Sequence, residues 1–132
     1  MNLLKAEITT IEQSGEFALV TLACSGCLFV ALIIHHHETY INVGNAVYMA
    51  FKETELSIGK QLEGGLSIRN RFASVISDIH KNTLLSEITL DYKGHSISSV
   101  ITTSSCERLQ LAVGDSVEGL LKTTELMLMK YE

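Results

Sequence analysis

Hydrophobic and polar positions along this chain alternate over short stretches, at the period of two that marks half-buried strands rather than the 3.6 of helices. Leu84, Ile88 and Leu90 fall on one face of a segment, and Val117, Gly119 and Leu121 on one face of another. The pattern predicts strands over 68–79, 84–90, 95–101, 117–121 and 126–131. Lys93-Gly94 predicts a two-residue hairpin turn, as does Ser25-Gly26 earlier in the chain. Val113-Gly114-Asp115 predicts a further turn. Ser104-Ser105-Cys106-Glu107 has the Ser-x-x-Glu form of a capping box, which predicts a helical turn running to Leu109.

Self-comparison explains why the same devices recur. At an offset of 68, Ile8 falls on Ile76, Ile11 on Ile79, Leu22 on Leu90, Gly26 on Gly94 and Ile33 on Ile101. Beyond a two-residue insertion the offset becomes 70. Gly44 then meets Gly114, Val47 meets Val117, and Lys52-Glu53-Thr54-Glu55-Leu56 meets Lys122-Thr123-Thr124-Glu125-Leu126. The chain therefore reads as two copies of one unit, 1–62 and 66–132, joined through Gly64-Gly65. Five short strands and a helical turn per copy predict an all-β protein of two tandem, small OB-like five-stranded barrels, because closure removes exposed sheet edges.

The repeat also disposes of a membrane reading. Phe17–Ile34 is 18 residues without a charge, the lower limit for a spanning helix. Its copy, Leu85–Thr102, holds Glu87, Asp91 and Lys93, so both are expected to be hairpins in water. The first residues lack the basic region, apolar run and cleavage site of a signal peptide, and a cytoplasmic protein is expected. The hairpin 17–34 and the strand 126–131 are apolar on both faces, although a small barrel has one inside. That surplus predicts a homo-oligomer.

Composition narrows the functional classes. Ile, Val and Thr fill 31 of 132 positions, consistent with strands. Net charge is −5, and there is no Trp, so a nucleic-acid surface is not expected. Residues 1–63 carry 3 basic and 7 acidic side chains, and the remainder 7 and 8. No nucleophile elbow, phosphate loop or metalloprotease motif occurs, so no enzyme is expected. No helix-turn-helix is present either.

The chemistry sits at the ends of the second copy. It opens with Leu66-Ser67-Ile68-Arg69-Asn70 and closes with Lys122-Thr123-Thr124, with Ile101-Thr102-Thr103-Ser104-Ser105 between. In these motifs the chain resembles the molybdate/tungstate-binding Mop domains of the TOBE group, and specifically the tandem di-Mop proteins. The resemblance implies a Mop-type fold that binds molybdate or tungstate for intracellular storage, buffering or homeostasis. It also implies sites at interfaces between units, and trimers of tandem units.

Elementary chemistry points the same way. A tetrahedral dianion needs donors on several sides and a fixed positive charge. Arg69 offers a planar fork, Lys122 a point charge, and Ser67, Thr123 and Thr124 hydroxyls. The resemblance adds Asn70 and Thr102 to the expected ligands. Molybdate and tungstate only accept hydrogen bonds, whereas monohydrogen phosphate must also donate one, which an all-donor site penalises. The first copy lacks the Ser-x-Arg opening, and Glu53 stands where the second copy has Thr123. The opening motif therefore pairs either with Lys52 of a first copy or with Lys122 of a second.

Two further clusters carry alternatives. At the offset of 68, His35-His36-His37 falls on Thr103-Ser104-Ser105 of the other copy, next to Thr102. His35 and His37 share a face and are weak candidates for a transition metal with Cys24 or Cys27. Cys24-x-x-Cys27 flanks a hairpin turn, with no second such pair. The alternative functions are an oxyanion-sensing module regulating a transporter or transcription factor, and a His/Cys metal-binding protein.

Overall fold

The computed structural model describes residues 1–34 and 38–131. His35–His37 and Glu132 lie outside the described residues, so the expectation of a histidine metal site falls outside them too.

The strands are β1 (Asn2–Ser14), β2 (Phe17–Cys24), β3 (Cys27–Ile34), β4 (Ala46–Phe51), β5 (Ser57–Gly59), β6 (Asn70–Lys81), β7 (Leu85–Tyr92), β8 (His95–Thr102), β9 (Ser116–Leu121) and β10 (Met127–Lys130). One helix, α1 (Thr103–Arg108), follows β8, and 3-10 turns at Glu53–Glu55 and Thr123–Glu125 follow β4 and β9. The chain is all-β, as the alternation predicts, and its strands form two five-stranded antiparallel sheets.

Both halves use the same local devices. The hairpins β2–β3 and β7–β8 close on Ser25-Gly26 and Lys93-Gly94, all four residues with positive φ (49° and 85°, 48° and 90°). Successive left-handed residues of this kind match the twist of the flanking strands, and glycine takes the second at no steric cost. The long strands β1 and β6 each carry one bulge, between Ile8 and Thr10 and between Ile76 and Asp78. The extra residue, Thr9 or Ser77, donates its hydroxyl to the carbonyl of Thr21 or Thr89. A bulge bends a strand and increases its twist.

The sheet orders differ from the simple tandem expectation. They run β10-β4-β1-β2-β3 and β5-β9-β6-β7-β8. Each half therefore keeps four strands and lends its last one: β10 pairs with β4, and β5 with β9. Alternation says which face of a strand is buried but not which strand lies beside it, so this exchange was not legible in the sequence.

The core is a single apolar cluster running through both halves. At its centre Phe29 of β3 meets Phe72 of β6 and Tyr92 of β7, with ring centroids 5.4 and 6.0 Å away, and Phe72 and Tyr92 are 5.3 Å apart. The Tyr92 hydroxyl donates to the Cys24 carbonyl at 2.6 Å, joining the two hairpins. Outside, the halves diverge. The outer face of β2–β3 shows Phe17 opposite Ile34 and Leu19 opposite Leu32, with Phe17, Leu19 and Ile34 exposed. The matching face of β7–β8 carries Glu87 and Asp91.

Candidate functional site

The opening and closing motifs meet at the end of one ladder. The pairing of β6 with β9 ends with Asn70 opposite Leu121. Arg69 and Lys122 are thus the first residues beyond the ladder on adjacent strands. The closing motif of the second half lies beside that half's own opening motif within one chain. Arg69, Ser67, Lys122 and Thr124 are exposed, and Thr123 is half-buried. Leaving the sheet, the chain folds into the 3-10 turn after Lys122, whose carbonyl accepts the Glu125 amide at 3.0 Å.

Among the described residues, Arg69, Lys122 and Lys52 form no ion pair. Two neighbouring basic residues are engaged. Arg71 grips Glu118 through two hydrogen bonds of 2.9 and 2.8 Å. The hydrogen bond from Arg71 holds the Glu118 carboxyl below its usual range. Lys60 is bound to Asp115 at 3.0 Å. Arg69 and Lys122, without ion pairs at adjacent strand ends, and the hydroxyls of the neighbouring turn form a donor-rich corner facing solvent.

Lys52 lies at the matching corner of the first half, where β1 and β4 end on Asn2 opposite Phe51. It also lines a cavity of about 120 Å³ with Thr124, Glu55, Glu125 and Met127. The exchange of strands thus brings Lys52 of one half and Thr124 of the other to one space, beside two carboxylates. Glu53 accepts a hydrogen bond of 2.7 Å from the Met1 ammonium, which holds its carboxyl below the usual range.

Two expected ligands have their polar atoms engaged elsewhere. Asn70 is 1% exposed; its Oδ1 accepts the Val30 amide at 2.7 Å and its Nδ2 donates to the Val30 carbonyl at 2.9 Å. A signal for this existed: the first half keeps Asn2 at the same position, although its closing turn carries Glu53 in place of Thr123. Thr102 is the N-cap of α1, its Oγ1 accepting the Ser105 amide at 3.1 Å. The helix therefore starts one residue before Ser104, the cap expected from the Ser-x-x-Glu motif. Thr102 satisfies an otherwise unpaired helix amide directly.

Cys24 and Cys27 face each other across the hairpin turn as free thiols. Burial pushes the Cys24 thiol up, which disfavours the thiolate that a metal requires. Among the described residues no three metal-ligating side chains come together, and no helix is long and apolar enough to cross a membrane.

Residues 66–128 match the TOBE domain. A molybdate-binding protein from Sporomusa ovata is 36% identical, with all of its length and 51% of this chain covered, at a TM-score of 0.50. This chain belongs to the TOBE-domain family. The family is one of binding domains rather than of enzymes. The TOBE match covers the second half, from the opening motif through the closing turn to β10. Over nearly the whole length this TOBE protein shares its fold with the cytoplasmic molybdate-binding protein ModG, solved with molybdate bound. The TM-score is 0.93, at 20% identity, with 98% of this chain and 96% of that one covered. Two proteins named molybdenum transport protein ModE are also similar. That of Azotobacter vinelandii is 28% identical over 90 residues, and that of Herbaspirillum seropedicae 27% over 97, covering 67% and 73% of this chain. The chain spans about a third of the length of these curated relatives.

Proposed function

We propose that this protein binds molybdate or tungstate, without turnover, as a cytoplasmic store or buffer for the oxyanion. The observation that carries the reading is the pair of unpaired cations, Arg69 and Lys122, at adjacent strand ends beside the Ser67, Thr123 and Thr124 hydroxyls. Such a corner offers two fixed positive charges and hydroxyls able to donate, which suits an anion that carries no proton. The similarity to molybdate-binding proteins supports the choice of anion. Lys52 and Thr124, at one cavity, are a second pair of donors, with Glu55 and Glu125 opposing an anion there. Asn70 and Thr102 serve the site through the backbone they hold. The corner is open on one side in a single chain, and the exposed apolar face of β2–β3 favours a homo-oligomer, with trimers preferred, that closes it.

Calorimetric titration with molybdate, tungstate, sulfate and phosphate tests this reading. Arg69→Ala and Lys122→Ala each remove a charged donor, so each is expected to weaken molybdate binding about 10- to 100-fold. Equal heats from sulfate and molybdate, or full affinity in both variants, would sink it. A second reading, in which the same domain senses oxyanion for a larger regulator, is favoured by the similarity to ModE over only a third of that protein. It predicts a partner protein retained only when molybdate is present.

A further inference from the structure

The halves are joined by two matching side-chain splints. Asn70 holds both backbone polar groups of Val30, and Asn2 holds those of Ser98, accepting its amide at 2.9 Å and donating to its carbonyl at 2.8 Å. A side-chain amide used in this way imitates a neighbouring strand along the free edge of β3 or β8. Both strands are the outermost of their sheets, where unpaired backbone groups would otherwise remain. The splints cross: the opening of the second half grips the first half, and the reverse.

The two splints differ in what stands next to them. Asn70 follows Arg69 directly, and residues 60–69 form neither strand nor helix. Beneath Asn70, Phe72 packs on Phe29, the neighbour of Val30. The closing turn rests on the same strand, for Thr124 and Leu126 share a cavity of about 330 Å³ with Leu32, Ile33 and Ile34 of β3. One strand of the first half is thus the floor under both motifs of the second. At the other corner, Glu53 stands in the closing turn where the second half has Thr123.

We propose that Asn70 is a positioning residue for the oxyanion corner. Together with the ladder that pairs it with Leu121, its two bonds to Val30 fix Arg69 relative to the donors of Lys122–Thr124. This inference rests on the binding reading above. A site of fixed donors tolerates only about 0.5 Å of displacement before its geometry is lost, and the segment preceding Asn70 has no ladder of its own to hold it. The first half then serves the site as its foundation.

Asn2 provides an internal control. Calorimetry with molybdate and with sulfate, alongside thermal melts, is run on the full chain, on Asn70→Ala and on Asn2→Ala. Each substitution removes the same pair of bonds, buried at Asn70 and part-buried at Asn2, so both lower the melting temperature, Asn70→Ala the more. Asn70→Ala is expected to weaken molybdate at least about tenfold and to narrow its preference over sulfate. Asn2→Ala is expected to leave both within about twofold. Asn70→Ser, which keeps a hydroxyl at the position, is read in the same way if the alanine variant does not fold. Unchanged molybdate affinity in the Asn70 variants, or equal losses at Asn70 and Asn2, overturns the positioning role. Absence of molybdate heat from the unsubstituted protein overturns the binding reading, and the positioning role with it.

Discussion

Gly119 shows how the repeat conserves shape while exchanging volume. It sits in β9 directly opposite Phe72, and a Cβ there would come within 2.3 Å of the Phe72 ring at Cζ. The matching pair in the first half is Met49 opposite Leu4. One half therefore packs a large ring over glycine, and the other two side chains of middling size. Phe72 is 1% exposed and wedged against Phe29 and Tyr92, so the ring has no room to retreat. Gly119→Ala is expected to destabilise the fold by about 1–3 kcal/mol, the usual cost of overpacking. Urea denaturation followed by circular dichroism measures it, and an unchanged midpoint would refute the wedge. The glycine itself is plain in the sequence. Its reason is not, because the ring that needs the space lies 47 positions earlier in the chain.

Strands and turns were the most legible features, because period-two alternation and Ser-Gly or Lys-Gly turns each act over a few residues. Legibility fails where an element's partner is distant. β5 has only three residues, and its pairing with β9 is reinforced from outside the sheet. Just beyond its end, Lys60 donates to the Leu109 and Gln110 carbonyls after α1, at 3.2 and 3.0 Å, and to Asp115 at 3.0 Å. The Lys60 ammonium, then the Ala112 amide, holds the Asp115 carboxyl below its ordinary range. A carboxyl depressed in the folded state adds stability that is fully present above the unfolded value, about 3.9. That stability is lost as pH falls through the folded value. Lys60→Met, which also loses the bonds to the Leu109 and Gln110 carbonyls, is accordingly expected to lower the melting temperature at pH 7 by about 2–4 °C. The gap from the parent should narrow as pH falls through the folded value of Asp115, where the carboxyl protonates in both proteins. Melts across pH check this, and a gap that widened in acid would reverse the assigned sign.

For the whole molecule, the sequence repeat and the folded unit are different things. Alignment divides the chain at 62–66, and the charged and hydroxyl residues of the candidate corner were visible there as two motifs. What alignment could not show is that each repeat is unfinished. The first lends β5 and receives β10; Asn2 and Asn70 splint the opposite half; and the central aromatic cluster takes Phe29 from one repeat and Phe72 and Tyr92 from the other. A repeat produced by itself would expose an unpaired edge on β4 or β9 and half of a shared core, with about 60 residues to hold it together, a size at which stability is already marginal. Polypeptides 1–62 and 66–132 are therefore expected to show no sharp thermal transition when made separately. Mixed in equal amounts, they should form a one-to-one complex with restored β-sheet circular dichroism and a cooperative melt. If either piece melted cooperatively as a monomer, the exchanged strands would be dispensable decoration rather than the closure of each half. The corner of Arg69 and Lys122 would then stand on one repeat alone. Recovery of the fold only on mixing would mean that the anion corner of the second repeat cannot be built without the first.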